Sequence, residues 1–261
     1  MQSPIPWMGS KRRLADQILR RFPDHHCYVE LFAGSGALLF AREEPANVEV
    51  LNDVDGEIVN FFRVLKHHLV EVCRELRFSV PSRRIFEWLK ATPPETLTDI
   101  QRAARFYYLQ RTCFGGRSVN RSFGYSTTNA PKLNLVRLEE DFSEIHGRLH
   151  RVLVEELPWQ SCLRRYDRPT TLFFADPPYF GLTGYGQPWT LEHYAELATA
   201  LGAIAGKALI TINACPEMRG VFEGFAFDRL QIRYMVGRAV ETRRPRGELL
   251  YRSWKDGGGR K

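Results

Sequence analysis

A chain of 261 residues, 44% hydrophobic and 26% charged, has the composition of an ordinary globular protein, long enough for one catalytic core with a small insertion. It holds no apolar run near the ~20 residues that span a bilayer, and its N-terminus lacks a signal-peptide pattern. The five cysteines (Cys27, Cys73, Cys113, Cys162, Cys215) are scattered, odd in number and without C-x-x-C spacing. They argue against a disulfide framework or a zinc site and for a reducing, cytoplasmic setting.

The chain opens with Pro4-Ile-Pro-Trp-Met-Gly-Ser-Lys11, just ahead of an amphipathic helix carrying Leu14, Ile18, Leu19 and Phe22. Lys11 offers a cation to a carboxylate, and Trp7 a ring able to cover an aromatic or cationic group. A strand from Cys27 then runs into Phe32-Ala33-Gly34-Ser35-Gly36, and a helix opens at Ala37. Gly34 and Gly36 permit a tight turn and close backbone approach, and the helix start supplies free N–H groups. The pattern is not a full G-x-G-x-x-G fingerprint. A second strand, Val48–Asn52, ends at Asp53, 19 residues past Gly34. Doubly wound folds place a ribose-binding carboxylate about 20 residues past such a glycine loop.

Helical spacing continues from about Gly56 to Arg77. Pro81 and Pro93-Pro94 then bracket a short helix around Ile85–Leu89, and a longer one is expected over Ile100–Thr112. A polar loop rich in glycine, arginine and aromatic residues follows, from Phe114 to Tyr125. The net charge of +7 has a location: residues 100–138 carry seven Arg or Lys and no acid. A basic stretch of that kind suits nucleic-acid phosphates, with Arg105, Arg111, Gly116, Arg117, Asn120 and Arg121 as candidate contacts. Arg238, Arg243, Arg244 and Arg246 form a second basic cluster. The pairs His25-His26 and His67-His68 are too isolated to hold a metal and are expected at the solvated surface.

After a strand at Val152–Glu155, the apolar run Leu172–Ala175 stops at Asp176-Pro177-Pro178-Tyr179. Asp176 precedes a proline and is pushed into extended backbone, and neither proline offers an N–H. Carbonyl and carboxylate acceptors therefore cluster beside an aromatic ring at a strand's carboxyl end. This arrangement suits an aromatic amine, its hydrogens on Asp176 and the Pro177 carbonyl and its ring on Tyr179. The glycine-rich stretch 180–188 reads either as a lid or as a plain connection. A helix is expected from about Thr190, a strand at Ala208–Ile212, a terminal hairpin from Phe225–Val236 and Glu248–Trp254, and a disordered tail at 257–261. Alternating strands and helices indicate an α/β architecture with a mostly parallel sheet, which puts Gly34, Asp53 and Asp176 on one rim.

Asp-Pro-Pro-Tyr resembles the catalytic motif of amino-methylating nucleic-acid methyltransferases, and Trp7-x-Gly9-x-Lys11 resembles the opening of Dam-like (alpha-group) DNA adenine methyltransferases. The order of signatures, with a long insert between the glycine loop and Asp176, is similar to that group across nearly the whole chain. The resemblance implies a class I, Rossmann-like methyltransferase fold with seven strands, one antiparallel. Residues 1–69 and 151–256 would form this core, and 70–150 a mainly helical inserted target-recognition domain. It implies S-adenosylmethionine as methyl donor, bound by Trp7, Lys11, Phe32, Ala33, Gly34, Ser35, Gly36, Asp53 and Asp176, with no metal. Catalysis would fall to Asp176, Pro177, Pro178 and Tyr179, acting on adenine N6 of double-stranded DNA in a bacterial or phage setting. Cytosine N4 is the close alternative, and a DNA-binding module with a vestigial site is another. The chain reads Gly116-Arg-Ser-Val where GATC-reading relatives have Gly-Leu-Cys-Arg, which argues against GATC as its target.

Overall fold

The computed structural model describes residues 1–181, 188–231 and 247–254. Its centre is a seven-stranded sheet in the order β3-β2-β1-β4-β5-β7-β6. The strands are β1 (Cys27–Glu30), β2 (Val48–Asn52), β3 (Val152–Glu155), β4 (Thr171–Ala175), β5 (Lys207–Asn213), β6 (Ala226–Leu230) and β7 (Glu248–Arg252). The pairs β1–β2, β1–β4, β2–β3 and β4–β5 are parallel, and β7 runs antiparallel to both β5 and β6. That is the single reversed strand the resemblance implied.

Alternation along each strand divides the apolar residues between two faces. Tyr28, Leu172 and Phe174 join one core, while Val29, Phe173 and Ala175 join the other. The second face is covered by α8 (Trp159–Tyr166), α9 (Leu191–Gly202) and α10 (Pro216–Val221). Burial on both faces explains why β4 is an unbroken apolar run rather than an alternating one.

The first face carries α1 (Ala15–Leu19), α2 (Ala37–Ala41) and α3 (Gly56–His67), and upon them α4 (Leu69–Leu76), α5 (Arg83–Ala91), α6 (Asp99–Thr112) and α7 (Leu138–Leu149). Phe61 of α3 meets Phe106 and Tyr107 of α6 and Phe142 of α7, with ring centroids 5.5–6.3 Å apart. One apolar core therefore runs without interruption past residue 70.

The helix expected from Gly56 to Arg77 is two helices. His68 adopts φ −134°, ψ 42° and ends α3, and α4 then turns Val72, Cys73 and Leu76 into the core. The helix α7 carries Leu138, Phe142, Ile145 and Leu149 on its buried stripe and did not figure among the expected elements. Of the expected hairpin, β6 takes up Ala226–Leu230 of the first strand, and residues 232–246, with the rest of that strand and the second basic cluster, lie outside the described residues, as do 182–187 of the glycine-rich stretch and the tail. His67 and His68 are exposed, but His25 is half-buried, its Nδ1 2.7 Å from the Pro23 carbonyl and its ring beside Tyr28.

Candidate active site

The carboxyl ends of β1, β2 and β4 open on a cavity of about 420 Å³. Trp7, Lys11, Phe32, Ala33, Gly34, Ser35, Asp53, Asp176 and Pro178 all line it, and Gly36, Pro177 and Tyr179 are chain neighbours of its lining residues. Segments far apart in sequence are thus brought together, as ligand sites at the carboxyl ends of parallel strands require.

The loop after β1 is shaped by two glycines with left-handed backbone, Gly34 at φ +49° and Gly36 at φ +65°. A β-carbon at Gly34 would also lie 2.7 Å from the indole Nε1 of Trp7, so the tryptophan packs directly on the turn. Asp53 holds this loop from β2: its Oδ2 accepts from the Gly34 N–H at 2.9 Å, and its Oδ1 accepts from the Asp55 N–H at 3.0 Å. Burial nonetheless pushes its pKa up to about 6. Ser35 is tied to the N-terminal segment, accepting at its carbonyl from the Ser3 hydroxyl at 2.6 Å.

Asp176 at the end of β4 faces two donors. The Lys11 ammonium reaches Oδ2 at 2.7 Å, and the Thr211 hydroxyl of β5 reaches Oδ1 at 2.8 Å. Lys11 is only 3% exposed and also donates to the Gly9 carbonyl at 2.6 Å, whereas Asp176 keeps 20% exposure toward the cavity. Burial raises the Asp176 pKa, and Lys11 and Thr211 pull it back down. The proline turn beyond it is clamped at several points. The Pro178 carbonyl accepts from the Tyr194 hydroxyl, and the Asn213 side chain bonds both the N–H and the carbonyl of Phe180 at 3.2 Å. The Tyr179 ring lies 4.8 Å from the Lys11 ammonium, and Tyr179 and Lys11 both pull down the pKa of Glu248 at the start of β7, which burial raises.

Several lining residues were missed in the sequence. Glu30 ends β1 fully inside, its pKa pushed up to about 8 by burial even though the Leu39 N–H and the Tyr28 hydroxyl both donate to Oε1. A carboxylate amid Tyr28-Val29 and Leu31 was the available clue. Pro158, Trp159, Gln160, Trp189 and His193 form a further wall, with Trp189 edge-on to Phe32 at 5.4 Å. Ser118 and Val119 reach the cavity from the polar loop after α6.

The candidate nucleic-acid contacts separate into two groups. Arg105 is 8% exposed, donates to the Leu89 carbonyl at 2.6 Å and pairs with Glu57 of α3 at 3.4 Å. Arg102 shares that carboxylate, and Arg137 pairs with Glu140, so acids outside the basic stretch offset part of its charge. Arg111 is half-buried beside Tyr107, and Arg121 packs over Phe106 at 5.5 Å while donating to the Arg117 carbonyl. Gly116 is buried against the N-terminal segment at φ +65°. Arg117 and Asn120, the latter at φ 49°, are exposed at the loop's tip.

The family model of the D12 class N6 adenine-specific DNA methyltransferases matches residues 7–236. The type II methyltransferase M.CviBI of Paramecium bursaria Chlorella virus NC1A is 25% identical over 246 residues, an alignment covering 90% of this chain and 91% of that one. The DNA adenine methylase of Haemophilus influenzae is 24% identical over 273 residues, covering 94% and 91%. The DNA N-6-adenine-methyltransferase of Escherichia phage P1 is 26% identical over 263 residues, 93% of this chain and 34% of that longer protein.

Proposed function

This chain belongs to the D12 class of N6 adenine-specific DNA methyltransferases, and from that premise we propose how its cavity methylates adenine. One observation carries the reading: the Lys11–Asp176 pair and the Gly34–Asp53 bond open on the same cavity. At about 420 Å³ the cavity falls in the range of small-molecule sites. Its glycine turn, acidic strand end and aromatic walls suit the nucleoside and amino-acid portions of S-adenosylmethionine. When bound, that donor supplies an electrophilic methyl group on a positively charged sulfur.

Asp53 and the Gly34 turn would hold the donor's ribose side, where Trp7 packs on the turn. Asp176 and the Pro177 carbonyl accept hydrogen bonds from the exocyclic amine of adenine. These bonds favour a pyramidal nitrogen whose lone pair is free to attack. Lys11 pulls down the Asp176 pKa that burial raises and fixes the carboxylate's orientation. The adenine must leave the duplex stack, at a cost of a few kcal/mol. Stacking on Tyr179 offsets roughly 1–3 kcal/mol of this. Residues that line one cavity would hold both reactants together, and positioning of that kind is worth about 7–11 kcal/mol.

Double-stranded DNA is the partner, read by the segment 70–150 through the loop that carries Arg117 and Asn120. Because that loop reads Gly116-Arg-Ser-Val, the recognition sequence differs from GATC. The protein acts in the cytoplasm of a bacterial or phage-infected cell. The test is transfer of labelled methyl to unmethylated duplex DNA, followed by digestion to nucleosides. Label in N6-methyladenine supports the reading, and label confined to N4-methylcytosine or absent from the DNA refutes it.

A further inference from the structure

Gln110 of α6 is 0% exposed, and its amide nitrogen donates two hydrogen bonds of 3.0 Å, to the carbonyls of Pro6 and Gly116. Two carbonyl partners fix which end of the amide faces them. The Met8 N–H donates to the same Gly116 carbonyl at 3.0 Å. A β-carbon at Gly116 would come within 3.1 Å of the Pro6 backbone, so the two segments touch along their main chains. The N-terminal segment leads one way into Trp7 and Lys11. The loop leads the other way through exposed Arg117 into Ser118 and Val119, which line the same cavity, and on to exposed Asn120. The Gln110 Oε1 finds no hydrogen-bond partner among the described residues.

We propose that Gln110 is a positioning residue that locks the DNA-reading loop to the Trp7–Lys11 wall of the donor cavity, so that seating the loop on DNA tightens donor binding. Gln110 touches neither DNA nor donor. It acts by making the loop and the wall one unit, and linkage requires the donor to tighten DNA binding by the same factor. The inference rests on the function assigned above, because it needs the loop to engage DNA.

The test measures the Kd of S-adenosylhomocysteine by calorimetry, with and without saturating fragments of unmethylated genomic DNA. The wild-type chain is expected to bind it about fivefold or more tighter with DNA, the lower end of ordinary coupling energies. Gln110→Leu, which keeps the size and removes both donors, is expected to bring that ratio close to one and to raise KM for DNA and donor together. Gly116→Ala strains the same contact from the loop side and is expected to do likewise, so it decides the matter should Gln110→Leu not fold. A wild-type chain that methylates DNA yet shows a ratio of one, or variants that keep the wild-type ratio, overturn the link. A wild-type chain that binds S-adenosylhomocysteine but transfers methyl to no DNA overturns the assigned function, and the link with it.

Discussion

Lys11 and Asp176, 165 residues apart in the chain, meet at 2.7 Å on the rim of the cavity. The lysine is almost fully enclosed and the aspartate is not. The pair therefore depends on the aspartate, since nothing else of opposite charge bonds the ammonium among the described residues.

Removing the carboxylate strands a buried cation. Asp176→Ala is expected to cost about 3–5 kcal/mol, the usual penalty for breaking such a pair from one side. Asp176→Asn keeps an oxygen for Thr211 or Lys11 and is expected to cost less. Urea unfolding of both variants checks this, and equal midpoints for Asp176→Ala and the wild type would show that Lys11 does not need its partner.

Glu30 gives a pH dependence of defined sign. Its pKa is raised from the ordinary 4.5 to about 8, so the folded chain holds a proton that the unfolded chain releases between those values. The stabilisation is complete below pH 4.5 and disappears as pH rises through 8. Gln at this position keeps Oε1, which receives both hydrogen bonds. The melting temperature of Glu30→Gln relative to wild type is expected to climb from pH 5 to pH 8 and level off above that. A flat difference across the range contradicts the buried, protonated Glu30.

Arg105 and Arg117 make a contrasting pair. Arg105 is enclosed with Glu57 and the Leu89 carbonyl, so Arg105→Ala is expected to lower stability and leave the salt dependence of DNA binding unchanged. Arg117 is exposed on the loop, so Arg117→Ala is expected to leave melting unchanged and reduce the slope of log K against log salt by about 1. Filter binding over a salt series, beside thermal melts, separates the two.

At Gly34 a side chain meets both a left-handed backbone and the Trp7 indole. Left-handed backbone alone costs an L-residue about 1–2 kcal/mol. Gly34→Ala is expected to raise KM for the donor tenfold or more with a much smaller effect on KM for DNA, read from initial rates with each substrate varied in turn. Unchanged donor KM would remove this turn from the donor site.

The sheet and its rim were legible because each relevant strand ends in residues that physics allows few other uses. Gly34, Asp53 and Asp176-Pro177 all terminate apolar runs, and all three sites share the cavity. What the sequence hid was orientation. The run of cations from Arg102 to Arg137 has no acids within it, yet Glu57 and Glu140 reach it from outside, and nothing in one dimension shows that Arg105 points inward. The break at His68 has no proline or glycine to announce it. Trp159 opens α8 before β4 and Trp189 lies just ahead of α9 after it, and only the folding of α8 and α9 onto the second face of the sheet brings both to the cavity that Phe32 lines.

The central claim is that the Asp176 carboxylate carries methyl transfer to the adenine amine. Its most direct test is single-turnover transfer by Asp176→Asn at saturating donor and DNA, with S-adenosylhomocysteine affinity measured in parallel. Loss of the carboxyl group from the reacting site is expected to slow transfer by ~10²–10³-fold, while affinity for S-adenosylhomocysteine changes only a few-fold. Transfer by the variant at the wild-type rate would contradict the claim.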